Sequence, residues 1–105
     1  MDAATASALG NQIQIVDVRE DDEWAAGRID GALHIPLAQL PQRLDEFDQS
    51  RTLVTVCRAG GRSAKARALL TAAGMNVQDL QGGMQAWAAA NLPITTPDGK
   101  PGHVA

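Results

Sequence analysis

Residues 52–70 read TLVTVCRAGGRSAKARALL. The β-branched run at 52–56 has the composition of a strand buried on both faces. It stops at Cys57, the single Cys of the chain. A short loop with two glycines follows, and Ser63 opens a helix that runs to Ala73, with Gly74 placed as its C-cap. Strand, short loop and helix in this order form the repeating unit of a parallel α/β sheet.

The flanking sequence repeats the unit. IQIVDV at 13–18, ALHI at 32–35 (stopped by Pro36) and MNVQDL at 75–80 read as three further strands. Residues 1–10 predict a short helix ending at Gly10. Asp21 or Asp22 is placed to cap another through Trp24 and Ala25, with Gly27 as terminator. Leu37, Leu40, Leu44 and Phe47 recur at helical spacing, with Pro41 in the first turn of that segment's main helix. MQAWAAAN at 84–91 gives the last helix. Right-handed crossovers and short connections then predict a small doubly wound α/β domain, with a four- to five-stranded parallel sheet and helices on both faces. The domain is expected over residues 1–92. Residues 93–105 carry three Pro and two Gly and read as a flexible surface tail.

Composition narrows the function. A chain of 105 residues with 45% hydrophobic residues accommodates one core and needs no metal or disulfide to fold. A single thiol, with no signal-like or long apolar segment, predicts a reducing, cytoplasmic setting. The formal net charge is −3 and aromatic residues are only 3%, which argues against nucleic-acid and membrane-surface binding. Charge is nonetheless uneven. Residues 17–23 hold five of the twelve acids, whereas residues 57–67 hold four of the nine bases, no acid and the Cys. A cationic patch around a lone thiol in an acidic chain fits a small anionic ligand.

Cys57 lies where ligands bind in open α/β sheets, outside the carboxyl end of a strand. Arg58, Ala59, Gly60, Gly61 and Arg62 are placed to curl around the sulfur, turning successive N–H groups inward as an anion cradle. The helix behind adds its positive end, and both effects favour a thiolate near neutral pH. A lone Cys at a strand end is otherwise a small buried apolar residue; here strand, glycines, two Arg and helix start coincide, which favours a nucleophile. Arg58 is either a donor-binding side chain or an ordinary surface charge. Arg62 either binds the donor or bonds backbone carbonyls and holds the loop's shape.

Four separated pieces resemble the single-domain rhodanese sulfurtransferases. VDVRE at 16–20 is similar to the family's first core strand with its Asp-x-Arg signature. EWAAGRIDGALHIP at 23–36 is similar to the segment from an aromatic residue to Ile-Pro, CRAGGRS at 57–63 to the active-site loop, and LQGGMQAW at 80–87 to the closing motif. The resemblance implies that Cys57 takes the outer sulfur of thiosulfate as a persulfide, releases sulfite, and yields the sulfur to cyanide, a thiol or a carrier protein. It implies neither metal nor organic cofactor, and makes Asp17 and Arg19 framework residues near the site. Two departures stand out: Arg28 and Asp30 occupy positions where the family often has His and Pro. The short N-terminus leaves a fifth strand undecided.

Other chemistries fit less well. Cys-dependent phosphatases and arsenate reductases place five residues between Cys and Arg, whereas four separate Cys57 from Arg62. His34 and His103 are not placed beside Cys57, which weakens a Cys-His hydrolase. A catalytically silent binding module remains the alternative from another class. The acids Glu20–Glu23 read as a solvated helix start. Met75, Met84 and Trp87 read as packing residues, and Gly82-Gly83 as a turn passing close to the Cys loop. Lys65 and Arg67 are either plain helix surface or attractors of an acidic partner protein.

Overall fold

The computed structural model describes residues 1–105. Strands β1 (Ile13–Asp17), β2 (Leu33–His34), β3 (Thr52–Val56) and β4 (Val77–Asp79) form one parallel sheet in the order β2-β1-β3-β4. Four helices accompany them: α1 (Ala3–Leu9), α2 (Asp21–Ala26), α3 (Gly61–Ala72) and α4 (Gly83–Ala89). The doubly wound α/β reading holds with four strands. The N-terminal residues make α1, capped by the Asp2 carboxylate on the Thr5 N–H, and no fifth strand forms.

The sheet separates two apolar layers. Val16, Val18, Leu53 and Cys57 face Ala66 and Leu70 of α3 together with Leu40 and Phe47. Ile13, Val54 and Val56 face Ala3 and Ala6 of α1 and Met84 and Trp87 of α4. Both β1 and β3 therefore bury both faces, which is why they read as continuous apolar runs without alternation. The chain passes from β1 outward to β2, then returns to β3 on the other side of β1. That reversal lies between β1 and β3, and in such sheets the carboxyl ends at the reversal are where ligands bind.

Two segments depart from the sequence reading. The expected helix over 37–47 is two 3₁₀ pieces, Leu37–Gln42 and Leu44–Glu46, separated at Arg43. Pro41 has no N–H to continue an α-helical ladder, and the bonds that form, such as Arg43 N–H to the Leu40 carbonyl, span three residues. The apolar spacing still does its work, since Leu40 and Phe47 are buried. Second, α3 begins at Gly61, two residues before Ser63. Its far end is a Schellman turn: Gly74 has φ +88°, and the N–H groups of Gly74 and Met75 reach the carbonyls of Thr71 and Leu70.

Residues 94–102 form a small hairpin that lies back on the body of the protein. Thr95 bridges Arg28 on one side and Pro101 on the other, and the His103 N–H donates to the Ala26 carbonyl. Ile94 and Val104 join the second apolar layer. Gly27 makes the close approach possible, because a Cβ there would stand 2.6 Å from the His103 oxygen and from Ile94 Cγ2. Gly27→Ala is expected to detach the hairpin and cost about 1–3 kcal/mol of stability. Urea denaturation checks the cost, and amide exchange at Thr95 and His103 checks its location.

Candidate active site

Cys57 follows β3 directly, and its sulfur sits beneath the loop that joins β3 to α3. The Gly60 N–H donates to Sγ at 3.0 Å, and the Ser63 Oγ lies 3.4 Å from Sγ while donating to the Gly60 carbonyl at 3.2 Å. Gly60 has φ +133°, a conformation open to Gly and strained for other residues, and this turns its N–H inward. Gly61, also expected to lend loop freedom, is the first residue of α3, with open space where a Cβ would project. Only one of the two glycines is needed for the curl.

The cradle acts against the cost of burial. Cys57 is 1% exposed, and removal from water pushes a thiol pKa up. That push is outweighed by the Ser63 hydroxyl, which accepts from the thiol and can turn from the Gly60 carbonyl to donate to the thiolate, and by the N–H groups of Ser63, Gly60 and Ala59, so the pKa falls below the ordinary thiol value. Ser63 is itself fully buried. As a helix opener it had an obvious reading; its chemical position, next to the sulfur, shows only when the loop closes.

The first turn of α4 pins the same loop from outside. Met84 and Gln85 donate their N–H groups to the carbonyls of Cys57 and Arg58, at 2.8 and 3.0 Å. Gly83 permits this contact: a Cβ there would fall 2.4 Å from the Cys57 oxygen. Three surface depressions exist, and none is lined by Cys57. The Cys57 side chain is correspondingly only 1% exposed.

The two loop arginines are engaged differently. Arg62 makes a bidentate pair with Glu23 of α2, at 2.5 and 2.8 Å. The Arg62 guanidinium holds the Glu23 carboxyl down at about 2, against the opposing effect of burial. Glu23 also accepts from the Glu20 N–H at 3.0 Å, completing a capping box. This corrects two expectations: Glu20, not Asp21 or Asp22, is the N-cap of α2, and Glu23 is a loop clamp, not a solvated charge. Arg58 turns outward, its Nε donating to the Ala105 backbone oxygen at 3.1 Å, and its terminal nitrogens have no protein partner.

Asp17 and Arg19 lie at the end of β1, both 0% exposed. Arg19 grips the Asp17 carboxylate through Nε and Nη2, at 2.9 and 2.7 Å. Its remaining donors reach the carbonyls of Gly27 and Glu23, at 2.8 and 3.3 Å. The pair thus fixes the middle and the C-terminal end of α2. His34 donates from Nε2 to the Arg19 carbonyl at 2.8 Å and stacks on Trp24 with ring centroids 4.6 Å apart, a local packing role. Arg28 lies over the same indole, its guanidinium carbon 4.3 Å from the ring centroid. No group of three or more His, Cys, Asp or Glu is arranged to hold a metal ion.

The rhodanese-like domain model matches residues 2–90, and the chain belongs to that family. It is 41% identical over 88 residues to a sulfurtransferase of Allochromatium vinosum, covering 83% of this chain and 82% of that one. It is 38% identical over 80 residues to the thiosulfate sulfurtransferase GlpE of Shewanella oneidensis, covering 75% and 79%. Among solved structures, a rhodanese-related protein from Thermoplasma volcanium superposes with a TM-score of 0.86 at 28% identity, over 90% of this chain and 95% of that one. These relatives support a rhodanese-type sulfurtransferase.

Two outcomes follow from the geometry. Ser63→Ala removes a donor that favours the thiolate, so the pKa of Cys57 rises; alkylation by iodoacetamide slows at pH 7 and recovers at higher pH. Arg19→Ala leaves the Asp17 carboxylate buried without its partner and is expected to destabilise the fold by about 3–5 kcal/mol, read by urea denaturation.

Proposed function

We propose that this protein takes a sulfane sulfur from thiosulfate or a similar donor onto Cys57 and passes it to a thiophilic acceptor. The Cys57 thiolate attacks the outer sulfur of thiosulfate. The sulfur–sulfur bond of the donor breaks, its electron pair leaves with sulfite, and Cys57 carries a persulfide anion. Cyanide or a thiolate then attacks that outer sulfur, and the Cys57 thiolate departs as the leaving group. No electron acceptor is consumed, and the donors around Sγ favour the ionised nucleophile in place of a general base.

One observation carries this reading: the sulfur lies in a ring of N–H donors and one hydroxyl that favours a negative charge there. The same donors suit the terminal sulfur of a persulfide anion, as an oxyanion hole suits an alkoxide. Arg58, with its free terminal nitrogens beside the loop, is the side chain assigned to the donor's sulfonate end. Arg62 is assigned to the loop's shape through Glu23, and Asp17 with Arg19 to the framework. The four-residue gap between Cys57 and Arg62 and the tie of Arg62 to Glu23 both favour sulfur over phosphoryl chemistry. A single free thiol supports the reading of a reducing, cytoplasmic setting; no helix is long and apolar enough to cross a membrane.

Intact mass spectrometry after brief incubation with thiosulfate is expected to show the gain of one sulfur, lost again on adding cyanide. Cys57→Ser is expected to fold, gain no sulfur and give no thiocyanate. Residual turnover in that variant would falsify the mechanism. An intact fold that takes sulfur from no donor, including 3-mercaptopyruvate and a low-molecular-weight persulfide, would leave a binding module.

A further inference from the structure

Of the nine basic side chains, five pair with carboxylates, Arg28 covers the Trp24 ring and Arg58 reaches the Ala105 oxygen. The two left without any ion pair, side-chain hydrogen bond or ring contact are Lys65 and Arg67. Both are exposed, and both lie on α3, the helix that begins at the nucleophile's loop. No acidic residue lies on α3, in a chain whose net charge is −3. Between and beyond these cations the helix exposes small side chains, and Ala64, Arg67, Ala68, Thr71 and Ala72 line a shallow depression. An acidic protein that kept two bases unpartnered by chance would not need both of them on the helix leading out of its active site.

We propose that the exposed face of α3 docks an acidic partner protein that exchanges sulfur with Cys57, as acceptor of the persulfide. The inference rests on the sulfurtransferase reading above. Small side chains let a partner's backbone approach closely, and two unpaired cations at the edge steer a negative surface towards the loop. In the transfer, the partner's cysteine thiolate attacks the outer sulfur of the Cys57 persulfide. A new sulfur–sulfur bond forms on the partner, the bond to Cys57 breaks, and Cys57 leaves as thiolate. A nucleic acid suits this face less well, since two free charges on an anionic protein make a weak phosphate-backbone footprint.

The test separates loading from delivery. The full chain is loaded with sulfur, freed of donor and mixed in single turnover with one of three thiols. These are a synthetic peptide with one cysteine among glutamates, the same peptide with lysines, and dithiothreitol. At low salt the acidic peptide is expected to accept sulfur roughly ten-fold faster than the basic one. The advantage should vanish at high salt. In the Lys65→Glu, Arg67→Glu double variant the preference is expected to disappear or reverse, with the dithiothreitol rate unchanged. Both side chains are exposed, so the variant should fold, and Lys65→Gln with Arg67→Gln provides a milder check. Equal peptide rates on loaded wild type, or a preference that survives both double variants, overturns the docking face alone. A polyuridine competitor that binds this face and blocks the acidic peptide would reassign it to nucleic acid. Failure of Cys57 to gain sulfur from any donor overturns the underlying sulfurtransferase reading as well.

Discussion

The buried pair of Asp17 and Arg19 holds the site together. A guanidinium removed from water is costly, and an ion pair in the interior often stabilises a fold no more than apolar residues of the same volume. What this pair supplies is position. Arg19 spends two donors on Asp17 and the others on carbonyls at the middle and end of α2, so that short helix has one place to sit. With α2 in place, Glu23 reaches Arg62, and Arg62 fixes the start of α3. A line of contacts therefore runs from the end of β1, through α2, to the loop over the sulfur. The hairpin at 94–102 rests on the same support, because it packs where Arg19 holds Gly27.

Around Cys57 two large effects oppose each other. Burial withdraws the sulfur from water and resists its ionisation; the Ser63 hydroxyl and converging main-chain donors take the place of that water. Main-chain donors have an advantage over a basic side chain in this role. They carry no rotamer freedom, and they hold direction when negative charge develops on the sulfur. The loop bears cations as well, but Arg62 has its charge matched by Glu23. The local field at the sulfur thus owes more to peptide geometry than to net charge.

The strand–Cys–loop–α3 unit was legible because every signal in it is local: a β-branched run, a break, glycines and a helix start within twenty residues. The other three strands were legible from the same rules, and their order in the sheet came with the structure. The segment 37–47 was misread because apolar spacing alone does not distinguish an α-helix from 3₁₀ turns, and Pro41 decided between them through a missing donor. Glu23 looked like one solvated acid among several, since its partner lies on another element and nothing in the local pattern of DVREDDE separates it from Asp21 or Asp22. Ser63 was found for the wrong reason. Its place beside the sulfur depends on the positive φ of Gly60, which a composition can permit but not orient.

The pinning of the loop by α4 has a consequence for how the protein is made. The carbonyls of Cys57 and Arg58 are held by N–H groups of Met84 and Gln85, which leave the ribosome later than the loop itself. Until then a nascent chain has β3 and α3 but lacks both β4 at the sheet's edge and the turn over the nucleophile. At ordinary rates of synthesis that gap lasts seconds. The thiol passes through this interval before its cradle is braced, so the loop reaches its final shape only after Gln85 has been added.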